Sequence, residues 1–259
     1  MNVAIIGGTG IDEMAEFSQW RDLTVETRFG SALVVQGTWL EKQIYFVPRH
    51  GRKHNVPPSQ INYRAQIAAL RKLDVRRAIG VCAVGSLKIK IRPGDLVVLS
   101  DFIDLTRHRP ITFYDAAEGP VAHTDMSRPY CEEVSLALCS ACASSGVSYA
   151  SEGVYVGVDG PRYETPSEIR LYAEWGGDVV GMTNVPEAVL AKEAGICYGA
   201  LALVANYGTG LSPKPLSHNE VRAAVIAAES RIKAVLSAAL GLIPQERKCA
   251  CCANSHLQV

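Results

Sequence analysis

The chain opens on an apolar run, Val3 to Ile6, that stops at Gly7-Gly8-Thr9-Gly10, the pattern of a buried strand entering a glycine-rich turn. Ser31 to Gln36 and Gln43 to Val47 read as a strand pair. Arg77 to Val84, ending at Gly85, and Asp95 to Leu99 read as further buried strands. Ser151 to Val158, Val179 to Met182 and Ile196 to Ala205 complete the set. Between them the period changes to that of a helix. Ser59 to Leu73 places Ile61, Ala65, Ala68 and Ala69 on one face, and Tyr130 to Ser144 does so with Val134, Leu138 and Ala141. Pro166 to Trp175 is entered through Thr165-Pro166, an N-cap followed by proline at the first helical position. Pro186 to Ala194 and Asn219 to Leu240 are two more helices. Strands alternating with helices predict an α/β fold: one three-layer α/β/α domain over residues 1–243, with a mostly parallel, mixed central sheet. Residues 244–259 change composition and form a Cys-rich tail, expected to be flexible.

Composition narrows the functional classes. Twenty-six basic residues balance 26 acidic ones, so no broad basic field exists to hold a nucleic-acid backbone. No apolar run reaches about 18 residues, and the N-terminus lacks a basic segment followed by an apolar one, so neither a membrane span nor a secretory signal is expected. The expected compartment is the cytoplasm. Cys82, Cys139 and Cys197 lie in apolar stretches and read as buried thiols. Cys249, Cys251 and Cys252 stand apart in the polar tail.

Four segments sit where loops leave strands, the place where α/β folds gather ligands. Gly7-Gly8-Thr9-Gly10 allows close backbone approach and offers a hydroxyl to an oxyanion. Pro48-Arg49-His50-Gly51-Arg52-Lys53-His54 brings guanidinium groups that fork onto phosphate oxygens. Ala83-Val84-Gly85-Ser86-Leu87 ends a strand whose amides can point at the same anion. Gly181-Met182-Thr183-Asn184-Val185-Pro186-Glu187 leaves a strand and enters a helix, with the Thr183 hydroxyl at the junction. Singly, each also reads as an ordinary turn or a solvated loop; together they suggest one oxyanion site.

These segments, with Gly160-Pro161-Arg162-Tyr163-Glu164-Thr165, resemble the purine nucleoside phosphorylase and methylthioadenosine phosphorylase family over residues 1 to about 243. The resemblance implies phosphate held by Thr9, Arg49, His50, Ala83 and Thr183, with Met182 against the ribose and Tyr163 stacked on the base. His123 aligns with a histidine that, in the methylthioadenosine enzymes, reaches the neighbouring subunit's nucleoside. A homotrimer, or a dimer of trimers, is implied as well. Cys82 departs from the pattern, because relatives carry Thr or Asn there; a thiol donates poorly, so that phosphate contact passes to a backbone amide.

The base edge separates the branches of the family. Methylthioadenosine phosphorylases carry Thr-Asp-Tyr-Asp after the last strand, where this chain reads Ala205-Asn206-Tyr207-Gly208. Enzymes acting on inosine and guanosine have asparagine at the place of Asn206, and Glu164 matches the glutamate that accepts from N1–H. His218-Asn219-Glu220-Val221 resembles the segment whose histidine bonds the 5′-hydroxyl. The expectation is therefore phosphorolysis of 6-oxopurine nucleosides, with methylthioinosine or methylthioadenosine as the alternative. Asn206 is the expected catalytic residue; inorganic phosphate is a co-substrate, and no cofactor or metal is expected. A nicotinamide-binding reading fails on spacing, since Glu13 stands where the third glycine of Gly-x-Gly-x-x-Gly belongs. The tail thiols lack a histidine at the usual ligand spacing, His256 excepted, so a closed zinc site is not expected and reduced, mobile thiols are the default reading.

Overall fold

A computed structural model of the chain describes residues 2–8, 18–114, 121–212 and 217–252, without the side chains of His218 and Cys252. In chain order the described elements are β1 (Val3–Gly7), β2 (Ser18–Thr27), β3 (Gly30–Trp39), β4 (Lys42–Pro48), α1 (Tyr63–Lys72), β5 (Arg77–Ser86), β6 (Leu96–Val98), β7 (Asp101–Asp104), α2 (Glu132–Ser144), β8 (Tyr149–Ala150), β9 (Val154–Gly157), α3 (Pro166–Glu174), β10 (Val179–Gly181), α4 (Asn184–Glu193), β11 (Cys197–Tyr207) and α5 (His218–Leu242). All strands join one mixed sheet, ordered β2-β3-β4-β1-β5-β10-β9-β7, with β11 branching from β5 and carrying β6 and then β8.

Alternation along the inner strands sorts side chains onto two faces. Ala4 and Ile6 of β1, and Ala200, Ala202 and Val204 of β11, pack on the side of α1 and α4. Val3 and Ile5, and Leu201 and Leu203, pack on the side of α2 and α5. This is the three-layer arrangement expected from the sequence. Full burial of each of the valine, leucine and isoleucine side chains among them stabilises the fold by roughly 1.5–3 kcal/mol. A smaller cluster of Leu87, Val156, Ile169 and Tyr172 holds α3 over β9 and β10.

Two features of β5 and β11 create the site. On one edge of β5, β1 pairs with Arg77 to Gly80 and β10 with Gly85 and Ser86. Among the described residues no strand pairs with that edge between these points, so the sheet splits there. On the other edge β11 runs parallel to β5 throughout, but the register slips between Val204 and Asn206, leaving Ala205 as an extra residue. This bulge puts Asn206 opposite Gly85, on the face that an unbroken strand would give to residue 205.

Helix boundaries follow from capping. The expected helix from Ser59 begins at Tyr63, because Pro58–Gln60 forms a separate 3-10 turn and the Asn62 side chain accepts from the Ala65 amide. Thr165 and Glu168 form a capping box on α3, with Pro166 at its first position as the sequence predicts. α4 starts two residues earlier than expected, at Asn184, and α5 starts at His218, capped by Ser217. Cys139 is half-buried instead of buried, with its sulfur against the Ser151 carbonyl at 3.5 Å. The tail through Cys251 packs on the core beside α2 and α5, with Cys251 buried, and residues 253–259 lie outside the described part.

Candidate active site

The split in the sheet opens into a cavity of about 420 Å³, lined by Gly8, Arg49 and His50 at the β1 and β4 ends and by the free edge of β5. Met182 and Thr183 close it from β10, Asn206 from β11 and Val225 from α5. A volume of this size admits a small organic ligand.

One end is built for an anion. The Arg49 guanidinium is buried and forks onto Glu187 of α4, with Nη2 to Oε2 at 3.1 Å and a second contact from Nε to Oε1. It also donates to the Val81 carbonyl at 3.0 Å and the Ile6 carbonyl at 3.2 Å. Burial alone would lower the guanidinium pKa, but Glu187 more than offsets that and holds it raised. Tyr198 donates to the same carboxylate at 2.6 Å and accepts from Asn184 at 2.8 Å, and Asn184 in turn accepts from Tyr130 at 2.6 Å. A Cβ on Gly80 would lie 1.9 Å from the Tyr198 hydroxyl, so glycine in β5 makes room for this chain of bonds. The Val81 carbonyl shows which residues of β5 face the split; by alternation the Ala83 amide points the same way.

His50 is neutral. Burial first, then the charge of Arg49, pulls its pKa down to about 4. Nδ1 lies 2.9 Å from the Val56 carbonyl; a carbonyl only accepts, so Nδ1 carries the proton and Nε2 presents a lone pair. A Cβ on Gly8 would lie 2.9 Å from His50 Cδ2 and 3.3 Å from Arg49 Nη1, so the missing side chain leaves the space between them. Thr183 is the N-cap of α4, yet its hydroxyl makes no cap bond. The Tyr155 hydroxyl accepts from the amides of Thr183 and Asn184 at 3.0 and 3.3 Å instead. That frees the threonine hydroxyl at a helix N-terminus, a favourable place for an anion. Burial pushes the Cys82 thiol up to about 12, so no thiolate competes there.

The other end is less charged. Asn206 spends one amide proton on the Tyr207 carbonyl at 2.7 Å and keeps its carbonyl oxygen for a ligand. Tyr163 and Pro161 line the opposite side. Glu164 is buried next to Tyr163 but does not itself line the cavity; burial raises its pKa. Gly208 lies behind Asn206, with its amide on the Ser86 carbonyl at 2.7 Å, and is not on the cavity wall either. A Cβ on Gly160, where φ is +66°, would meet the Met182 sulfur at 2.3 Å. Arg109 fixes this loop from beneath, donating to the Asp159 carbonyl at 2.6 Å and to the Met182 carbonyl.

A family model described as the phosphorylase superfamily matches residues 2–241. The chain belongs to the phosphorylase superfamily. Among its relatives, the phosphorylase is 44% identical over 254 residues to 6-oxopurine nucleoside phosphorylase of Pyrococcus furiosus, covering 96% of each chain. It is 44% identical to a Methanothermobacter thermautotrophicus protein named probable S-methyl-5′-thioinosine phosphorylase, covering 96% of this chain and 87% of that one. Its fold superposes on methylthioadenosine phosphorylase from Schistosoma mansoni in complex with adenine with a TM-score of 0.93 at 31% identity, covering 98% and 96% of the two chains.

Arg49, His50, Cys82, Ala83, Tyr163, Met182, Thr183 and Asn206, all expected from the sequence of the phosphorylase, meet in the one cavity. Thr9 and the His218 side chain lie outside the described residues. His123 is exposed and does not line this chain's own cavity. Sequence reasoning missed the roles of Glu187, Tyr198, Asn184 and Arg109. No local feature of the sequence marked these residues, because each meets its partners from a separate part of the chain. No helix among the described residues is long and apolar enough to cross a membrane.

Proposed function

We infer that this phosphorylase cleaves 6-oxopurine nucleosides such as inosine and guanosine with inorganic phosphate, giving the free base and ribose 1-phosphate. The observation that carries the reading is Asn206, turned by the bulge at Ala205 into the same cavity as the Arg49, His50 and Thr183 cradle. Phosphate rests between Gly8, Thr183 and the Ala83 amide, with Thr9 supplying a further hydroxyl. The Nε2 lone pair of His50 accepts the proton that hydrogen phosphate retains at neutral pH. As the bond from C1′ to N9 breaks, its electron pair goes to the base and positive charge develops on the sugar. Phosphate stabilises that charge and then forms the new bond to C1′. A solvent proton reaches N7, and the Asn206 carbonyl oxygen accepts from the resulting N7–H. Catalysis here is positioning and electrostatics.

Glu164 stands where the inosine and guanosine enzymes carry the N1–H acceptor, which favours the 6-oxo reading; its carboxylate is buried next to Tyr163, off the cavity wall, and meets the base only by turning inward. An adenosine N1 lone pair opposite that carboxylate leaves two buried acceptors facing each other, at about 1–3 kcal/mol each. The name of the Pyrococcus relative points the same way. One observation favours the 5′-methylthio substrate as a second reading: α5 presents Val221, Val225 and Ile232 to the cavity, an apolar wall next to the position of His218. The exposure of His123 supports an assembly in which it serves a neighbouring copy's cavity, as in a homotrimer or dimer of trimers.

Initial rates on inosine, guanosine, adenosine, methylthioadenosine and methylthioinosine, with and without phosphate, test this. Inosine or guanosine is expected to exceed adenosine by at least about a hundredfold in kcat/KM, the worth of ~2.7 kcal/mol. Asn206→Asp is expected to narrow that gap. Preference for adenosine or methylthioadenosine, or equal turnover without phosphate, overturns the reading.

A further inference from the structure

The cysteines of this chain do more than fill its core. Four of them, Cys131, Cys197, Cys249 and Cys251, place their sulfur atoms all within 4.8 Å of one another. The contact from Cys197 to Cys249 is 3.3 Å. The four come from three places in the fold. Cys131 is the N-cap of α2, Cys197 is the first residue of β11, and Cys249 and Cys251 belong to the tail. We propose that these four cysteines form a tetrahedral thiolate site for a divalent zinc-type cation that ties the tail to the core.

The geometry suits such an ion. A tetrahedron with metal–sulfur bonds of about 2.3 Å sets its sulfurs ~3.8 Å apart, within the spread seen here. A set of four sulfur donors and nothing harder selects zinc over magnesium or calcium. The tail is also held in place independently of the sulfurs. Arg77 donates to the Glu246 carbonyl at 2.8 Å, Lys248 donates its amide to Glu133 at 2.6 Å, and Arg247 donates to the Gly195 carbonyl at 3.1 Å. These bonds bring Cys249 and Cys251 over the other two sulfurs before any ion binds. Four thiolates around a divalent ion leave a net charge of about −2. Arg77, itself ion-paired with Glu133 at 2.8 Å, stands directly across the ladder from Cys197, and the positive end of the α2 dipole faces Cys131. On binding, each thiol gives its proton to solvent and its sulfur forms one bond to the metal.

The site is remote from the cavity. Cys197 and Asn206 lie at opposite ends of β11, nine residues and roughly 30 Å apart. The ion therefore acts on stability and not on phosphorolysis.

The full-length chain, produced with zinc in the growth medium and freed of loose metal by gel filtration, is expected to hold about one zinc per chain by elemental analysis. Cobalt(II) in its place should give the intense visible bands of a tetrahedral ion with thiolate charge transfer. Cys251→Ser and Cys249→Ser should each lose the metal and melt lower, while retaining the inosine turnover of the parent below that temperature. Cys139→Ser, outside the cluster, should keep both metal and melting point. Because the cobalt spectrum is read on the unmutated chain, a variant that fails to fold does not remove the test. A zinc-free chain with all four thiols open to a thiol reagent overturns the proposal. So does an intact mass short of two or four hydrogens, which would mean disulfides.

Discussion

Replacing Glu187 with glutamine keeps the volume and one acceptor but removes the charge facing Arg49. Both side chains are 1% exposed, so the guanidinium then remains buried without its counter-charge. Breaking a buried pair by removing one partner costs about 3–5 kcal/mol, and the retained hydrogen bond places Glu187→Gln at the lower end, ~3 kcal/mol. In a chain of this size that lowers the melting temperature by on the order of 10 °C. Phosphate should reverse part of the loss. In the parent, a bound dianion meets a guanidinium already balanced by Glu187; in the variant the dianion becomes its counter-charge. Saturating phosphate should therefore raise the melting temperature of Glu187→Gln by more than it raises that of the parent, since a ligand stabilises the state it binds. The assay is thermal unfolding of both proteins across a phosphate titration, with chloride at matched ionic strength as control. A variant that melts within about 2 °C of the parent, or whose phosphate shift is no larger, would refute the argument that Glu187 balances the charge of the anion cradle.

Gly8→Ala is expected to raise the KM for phosphate about tenfold or more, ~1.4 kcal/mol, while the KM for the nucleoside changes little, because the new methyl group enters the space between His50 and Arg49. Steady-state kinetics with each substrate varied in turn decides it, and an unchanged phosphate KM counts against that placement. His50 also gives a pH signature. It titrates at about 4 when folded against 6.5 when unfolded, so the unfolded chain takes up a proton that the folded chain refuses. The stability it contributes is full above about pH 6.5 and is lost as pH falls toward 4. Urea midpoints at pH 7 and pH 5 should differ less for His50→Asn than for the parent; equal differences would show that His50 is not the group titrating.

The inner strands were legible because β1, β5 and β11 are buried on both faces and read as continuous apolar runs. β2 was not legible, because it lies at the sheet edge and its alternation is confined to half-buried Leu23 and Val25 among solvated residues. β7 and β8 are too short to show a period. The loops that meet in the cavity were found because each bears chemistry on its own stretch of chain. The partners that tune them were invisible for a physical reason: Glu187 meets Arg49 across 138 positions, and Cys131 meets Cys249 only once α2 and the tail are both in place. Nothing local distinguishes such residues before the chain folds.

On the proposed function, the extra residue in β11 makes base recognition a matter of counting as well as of identity. Side chains alternate along a strand, so the bulge at Ala205 decides whether the asparagine or its neighbour enters the cavity. Flattening the bulge with Ala205 retained would restore the regular pleat, withdraw Asn206 to the far face and turn Ala205 toward the cavity, with no change in composition at the site. Two homologous chains that both carry asparagine at this point are therefore equivalent only if both carry the bulge. A comparison that aligns the letters but ignores the parity of the strand sets inward-facing residues against outward-facing ones.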